Sequence, residues 1–194
     1  MINIPKKVSA FGHDCVVASV TMVCMYWRQK KPDLSWNLPL DFDHEDWNKF
    51  IEKGKTYVRT SGMPFNNINR FLRTLSLPLT AKLELLEDTY GLRNLMRALI
   101  PPIVFYDRNY FFKNERGIGH AVVMVEQTQE MFTSIDPSFG PKYIHRLYKT
   151  DFEEAWKLKQ NTTIIIYPKS YTLKGKKTPS ITLTRFIEKG EGAE

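Results

Sequence analysis

Two cysteines, four histidines and ten glycines in 194 residues leave little material for several common chemistries. No Cys-x-x-Cys pair and no His-Glu-x-x-His segment occurs, so the usual ligand spacings of zinc sites are missing and no metal is expected. No glycine-rich run opens a helix bearing Lys-Ser or Lys-Thr, which removes the phosphate-cradling loop of nucleotide hydrolases; no cofactor is expected. No apolar run reaches the roughly 20 residues that cross a bilayer. The opening Met1-Ile2-Asn3-Ile4-Pro5-Lys6-Lys7 lacks the apolar stretch of a signal peptide. The expectation is a cytoplasmic chain with no membrane span. Cys15 and Cys24 are nine positions apart on one predicted helix, which separates them by roughly 13 Å, too far for a disulfide, so both are expected as free thiols.

What the chain has in excess is positive charge: 28 Lys and Arg against 21 Asp and Glu, a formal net charge of +7. A basic balance raises the question of a nucleic-acid partner. The charges are spread along the chain, however, and the densest group, Lys169, Lys174, Lys176 and Lys177, falls in a basic extension over 169–194 that follows a single predicted domain over 1–168. Solubility explains that distribution.

The hydrophobic period divides the domain in two. Val16, Val20, Val23 and Trp27 recur at helical spacing behind Asp14, a candidate N-cap. Asp43 caps a short helix that Gly54 ends, Pro64 opens a third helix that buries Phe65, Ile68, Phe71, Leu72 and Leu75, and a fourth runs from Asp88 to the stop at Pro101-Pro102. Beyond it the period shortens. The segments 103–106, 121–125, 131–135 and 163–167 are β-branched and aromatic and read as strands, His145 lies in a further strand, and 181–187 alternates as an edge strand would. Thr150-Asp151-Phe152-Glu153 has the form of a capping box opening a helix with Trp156. Helices first and an antiparallel sheet afterwards predict an α+β fold.

Cys15 stands at the start of the first helix, where free N–H groups and the helix dipole favour a thiolate. His120, in Gly117-Ile118-Gly119-His120, enters a predicted strand behind two glycines that allow close backbone approach. Asp136, before Pro137, ends the next strand. A hairpin centred on Thr128 sets 120 directly opposite 136 and on the same face. A carboxylate would then fix one imidazole nitrogen while the other faces the thiol, an arrangement for nucleophilic attack on a carbonyl. His44 and the aromatic residues Trp27, Trp47, Phe71 and Trp156 read as a solvated helix start and as core.

These pieces in this order resemble the papain-like cysteine peptidases, and among them the bacteriocin-processing peptidases that trim double-glycine leaders. The matching segments are Asp14-Cys15 with the helix to Trp27, Pro64–Leu75, Pro102-Ile103-Val104, Gly119-His120-Ala121, Ile135-Asp136-Pro137 with Gly140, and Phe152 to Trp156 ahead of Ile164-Ile165-Ile166. The resemblance implies a papain-like fold with N-terminal helices on a C-terminal antiparallel sheet. It implies cleavage of a peptide or amide bond in a peptide or protein substrate, with Cys15 as nucleophile, His120 as base and acid, and Asp136 as the residue that orients His120. Two positions depart from the family pattern: Val16 replaces the glycine after the cysteine, and Ser9 replaces the glutamine that completes the oxyanion hole, with His13 the other candidate donor. Acyl transfer by the same three residues, or a non-catalytic module binding peptide or nucleic acid, are the alternative readings.

Overall fold

A computed structural model describes residues 1–5, 14–38, 44–59, 62–111, 119–138 and 144–171, apart from the side chains of His44 and Trp47. The helices are α1 (Cys15–Lys30), α2 (His44–Lys55), α3 (Phe65–Thr74), α4 (Thr89–Arg97) and α5 (Lys149–Lys157). The strands are β1 (Leu79–Leu85), β2 (Pro102–Asp107), β3 (Gly119–Gln127), β4 (Met131–Ile135), β5 (Ile144–Tyr148) and β6 (Thr162–Pro168). They form one six-stranded sheet in the order β1-β6-β2-β3-β4-β5, antiparallel at every pairing. Helices precede most of the sheet, as the sequence predicts, and the class is α+β.

The first helix is the axis of the core. Every residue from Val16 to Trp27 is buried, so α1 is covered on all sides, which is why its apolar run carries no polar stripe. The buried hydroxyls and the indole of that run are paired. Ser19 Oγ donates to the Ala121 carbonyl at 3.3 Å, Thr21 Oγ1 to Val17 at 2.6 Å, Tyr26 to Leu99 at 2.7 Å and Trp27 Nε1 to Ile166 at 2.8 Å. Unmade, each bond would leave a buried polar group costing about 1–3 kcal/mol. The helix packs on β3 and β6 and against α2, so its N-terminus is fixed relative to β3.

Several local expectations need correction. Gly54 does not end α2 but lies inside it. A Cβ there would meet Val17 Cγ1 at 2.3 Å and Phe71 Cζ at 3.3 Å, so the glycine serves the close approach of α1. Asp14 is the N-cap residue by position, since its carbonyl accepts from Ala18 N–H, yet its side chain makes no cap bond and turns to Lys55, with Oδ2 3.8 Å from Nζ. Pro64 is the N-cap of α3 rather than its first residue. The helix α4 stops at Arg97, before the prolines, through a left-handed turn at Leu99. The capping box at Thr150 does not form. Strand β5 runs straight into α5 at Tyr148, so Thr150 falls inside the first turn and Glu153 instead accepts from Thr89 Oγ1 at 2.9 Å.

The strand β1 is the element that the sequence does not announce. Its Ala81, Lys82 and Glu84 are poor strand formers, and pairing with β6 along seven residue pairs holds it. The Asp43 cap and the 181–187 strand fall outside the described residues.

Candidate active site

Three elements converge at one end of β3. Cys15 is the first residue of α1 and is half-buried. His120 is the second residue of β3 and only 3% exposed; Asp136 directly follows β4 and is 1% exposed. The imidazole Nε2 and Asp136 Oδ1 stand 2.7 Å apart. The remaining nitrogen, Nδ1, is the one left for the Cys15 thiol, which is among the groups that raise the pKa of this ring.

The hairpin that joins His120 to Asp136 is built differently from expectation. Val123 pairs with Ile135 and Met124 with Ser134, and a bulge between Met124 and Glu126 shifts the pairing nearer the turn. Carried along β3, this register leaves Asp136 two positions away from the point opposite His120. An offset of two keeps both side chains on one face, and diagonal neighbours remain within reach of long side chains. The expected encounter is therefore made along the diagonal rather than directly across. The glycine ahead of His120 is not a close-approach point either. A Cβ on Gly119 would meet Lys159 Cε at 3.7 Å, an ordinary contact, and Gly117 lies outside the described residues.

Electrostatics at the site are set by burial opposed by close partners. Burial pulls the His120 pKa down, but hydrogen bonds to Asp136 and Cys15, with the charges on both, outweigh it and raise the value to about 9. The ring is an imidazolium at neutral pH. Burial pushes Asp136 up, and the bond and charge of His120, helped by the Ser138 N–H, bring it below the ordinary value of 3.8. Ser138 N–H donates to the same Oδ1 at 2.8 Å, an Asx-type turn that fixes the carboxylate. So the Asp-Pro turn and the partnership with His120 coexist.

Sequence reasoning missed the aromatic wall behind this pair. Tyr106 is the cross-strand partner of His120 in β2. Its hydroxyl donates to Asp136 Oδ2 at 3.4 Å, and its ring meets the imidazole edge-on with centroids 5.6 Å apart. Phe111 stands edge-on to Tyr106 at 5.3 Å and to His145 at 6.1 Å. Burial lowers the His145 pKa, Asp136 opposing and His120 adding to that fall, so His145 contributes a neutral ring to the wall. The signal that could have found Tyr106 is the β2–β3 pairing, since any residue paired with His120 lies beside it.

Cys24 is fully buried, and burial raises its pKa far above the ordinary thiol value, in keeping with its expected core position. Ser9 and His13 lie outside the described residues. Among the described residues no three His, Cys, Asp or Glu side chains are grouped as metal ligands would be, and no helix is long and apolar enough to cross a membrane.

The same fold occurs in solved structures of peptidases. A double-glycine motif protease from an AMS/PCAT transporter, in complex with the leader peptide, superposes with a TM-score of 0.55 at 17% identity, over 87% of this chain and 94% of that one. A chain from Bacillus anthracis described as a C39-like peptidase gives a TM-score of 0.58 at 15% identity, over 87% and 96%. At such identities the likeness establishes the fold, which is the papain-like one. No family model and no curated protein matches the sequence.

Proposed function

We propose that this chain is a cysteine hydrolase of the papain-like kind that cleaves a peptide or amide bond, with Cys15 as nucleophile, His120 as acid and base, and Asp136 holding His120. The observation that carries the reading is the buried imidazole bonded to a carboxylate at 2.7 Å, with the thiol at a helix start among the groups that raise its pKa. The fold shared with peptidases, one of them bound to a leader peptide, supports a peptide as the substrate class.

In this reading Nδ1 of His120 takes the thiol proton and the attacking species is the Cys15 thiolate. Sγ adds to the carbonyl carbon, and the π electrons move to oxygen as an oxyanion. The Cys15 backbone N–H, free of an intrahelical partner at the first position of α1, supplies one donor to it. Ser9 or His13 supplies the second in this reading. Collapse of the adduct breaks the C–N bond, and the leaving amine takes the proton from Nδ1. A thioester remains. Water then attacks that carbonyl as His120 accepts its proton, and expulsion of Sγ releases the acid and restores the starting pair. Asp136 stays ionised throughout and holds the ring so that Nδ1 points at sulphur.

Alkylation by iodoacetamide at neutral pH, followed by mass mapping, tests the reading, with Cys24 as internal control. Rapid labelling at Cys15 that is slowed in His120→Ala and absent in Cys15→Ala is the expected result. Paired with it is cleavage of a Gly-Gly-containing peptide that Cys15→Ala abolishes. If Cys15 reacts no faster than a free cysteine in solution and no peptide is cut, the non-catalytic reading that Val16 and Ser9 favour replaces this one.

A further inference from the structure

A second candidate site lies at the opposite end of β3. His120 and Glu126 are six residues apart on that strand, roughly 20 Å. There the last turn of α4, the end of β3 and the first residues of the chain border a half-open cleft of about 340 Å³, within the range of small-ligand sites. Its apolar surface comes from Ile2, Met96 and Val125, and Ile2 is fixed there by its N–H donating to the Val125 carbonyl at 2.8 Å. Two guanidinium groups, Arg93 and Arg97, line the same space one helical turn apart. The carboxylate at the cavity, Glu126, is 3.8 Å from the amino terminus. Among the described residues neither arginine is ion-paired.

Leu99 points to an occupant. The end of α4 is a Schellman turn: Ile100 N–H donates to Leu95 and Leu99 N–H to Met96. The residue that takes the left-handed conformation there is ordinarily glycine; here it is leucine, at φ 58°. The other described non-glycine residues at positive φ are Ser76, Gln160 and Asn161, all polar. Leu99 is therefore strained, and its side chain is also 53% exposed at the cavity rim. The Leu99 carbonyl is held by the Tyr26 hydroxyl at 2.7 Å, but the left-handed backbone costs stability and the side chain is only half covered by the fold. Strained residues of this kind cluster at ligand-binding sites, held there by the surrounding structure.

We propose that this cavity binds a carboxylate carried on a short aliphatic stem, the carboxylate against Arg93 and Arg97 and the stem against Leu99, Met96 and Val125. Paired guanidinium groups suit a planar carboxylate. Two sources share that chemistry, a free fatty acid and the C-terminal residue of an apolar peptide. The site is independent of the reaction assigned to Cys15.

Isothermal titration of the full chain with octanoate and with N-acetyl-leucyl-leucine separates the two sources, with octan-1-ol and acetate as probes lacking one half of the ligand. Saturable binding of octanoate or the dipeptide, and at least about tenfold weaker binding of both partial probes, is the expected result. Arg93→Gln with Arg97→Gln weakens binding by about tenfold or more, and Cys15→Ala leaves it unchanged. Leu99→Gly keeps the measurement safe from misfolding, because relief of the left-handed leucine raises or preserves the melting temperature while affinity falls several-fold. The proposal is overturned if neither carboxylate binds at millimolar concentration, if octan-1-ol binds as well as octanoate, or if Leu99→Gly and the arginine variants leave affinity unchanged.

Discussion

Asp136→Asn removes one negative charge from beside a buried imidazole and keeps a side chain of the same shape. In the native chain burial draws His120 down while Asp136 and Cys15 raise it to about 9. The rise from the ordinary 6.5 favours the imidazolium in the folded state by about 3 kcal/mol. A folded pKa above the unfolded one stabilises the protein fully below pH 6.5, and that contribution disappears as the pH rises through about 9. Asp136 feels the same contact from the other side. Its pKa is lowered, so its contribution is present above the ordinary carboxylate value and is lost as acid titrates through the depressed one. These are two views of a single interaction and do not add.

In Asp136→Asn the only opposition to burial at His120 is Cys15, so the imidazole falls well below 9 and the ring is buried neutral. The unfolding free energies of native and variant chains then differ by about 3 kcal/mol near pH 6 and converge toward about pH 9.5. Urea unfolding across that range measures the gap, and heteronuclear NMR of the His120 ring locates its titration directly. A gap that stays constant with pH would mean that the substitution costs shape or hydrogen bonding rather than charge. That outcome, or a native His120 titrating below 6.5, refutes the electrostatic account of the site.

Two further substitutions test the surroundings. Gly54→Ala should destabilise the chain by about 1–3 kcal/mol despite the better helix propensity of alanine, because its Cβ meets Val17 at 2.3 Å; a raised melting temperature would disprove the close-approach account. Tyr106→Phe deletes the donor to Asp136 Oδ2 and leaves the ring in place. It should lower stability by about 1 kcal/mol at neutral pH in urea titrations, and an unchanged stability would show that the 3.4 Å contact contributes nothing.

How far the site was legible follows from what each kind of residue signals. Apolar period revealed α1, α3, β2, β3, β4 and β6, because each buries a regular set of side chains. Helix ends were less legible. Gly54 and Thr150 have strong local meanings that neighbouring elements overrode, Gly54 through an adjacent helix and Thr150 through a strand that leaves no room for a cap residue, while α4 ends before Pro101 through its own Schellman turn. The strand β1 was hidden because its stability comes from β6, more than seventy residues later, and no local propensity records such a partner. Tyr106 was hidden for the same reason, since its place beside His120 depends on a pairing across sequence.

The encounter of His120 with Asp136 survived an incorrect register, and the reason lies in strand geometry. A slip of one residue would have turned Asp136 to the opposite face and dissolved the site. The true offset is two, so the face is preserved, and the extra residue of the bulge between Met124 and Glu126 is accommodated closer to the turn. A carboxylate on a diagonal must lean along the strand to reach the imidazole, and a free turn would let it swing away. The Ser138 N–H at 2.8 Å and the Tyr106 hydroxyl at 3.4 Å hold it from two further directions. The register of the β3–β4 pairing therefore brings the histidine and aspartate to one face. The turn after Asp136 and the neighbouring strand β2 determine that they meet at 2.7 Å.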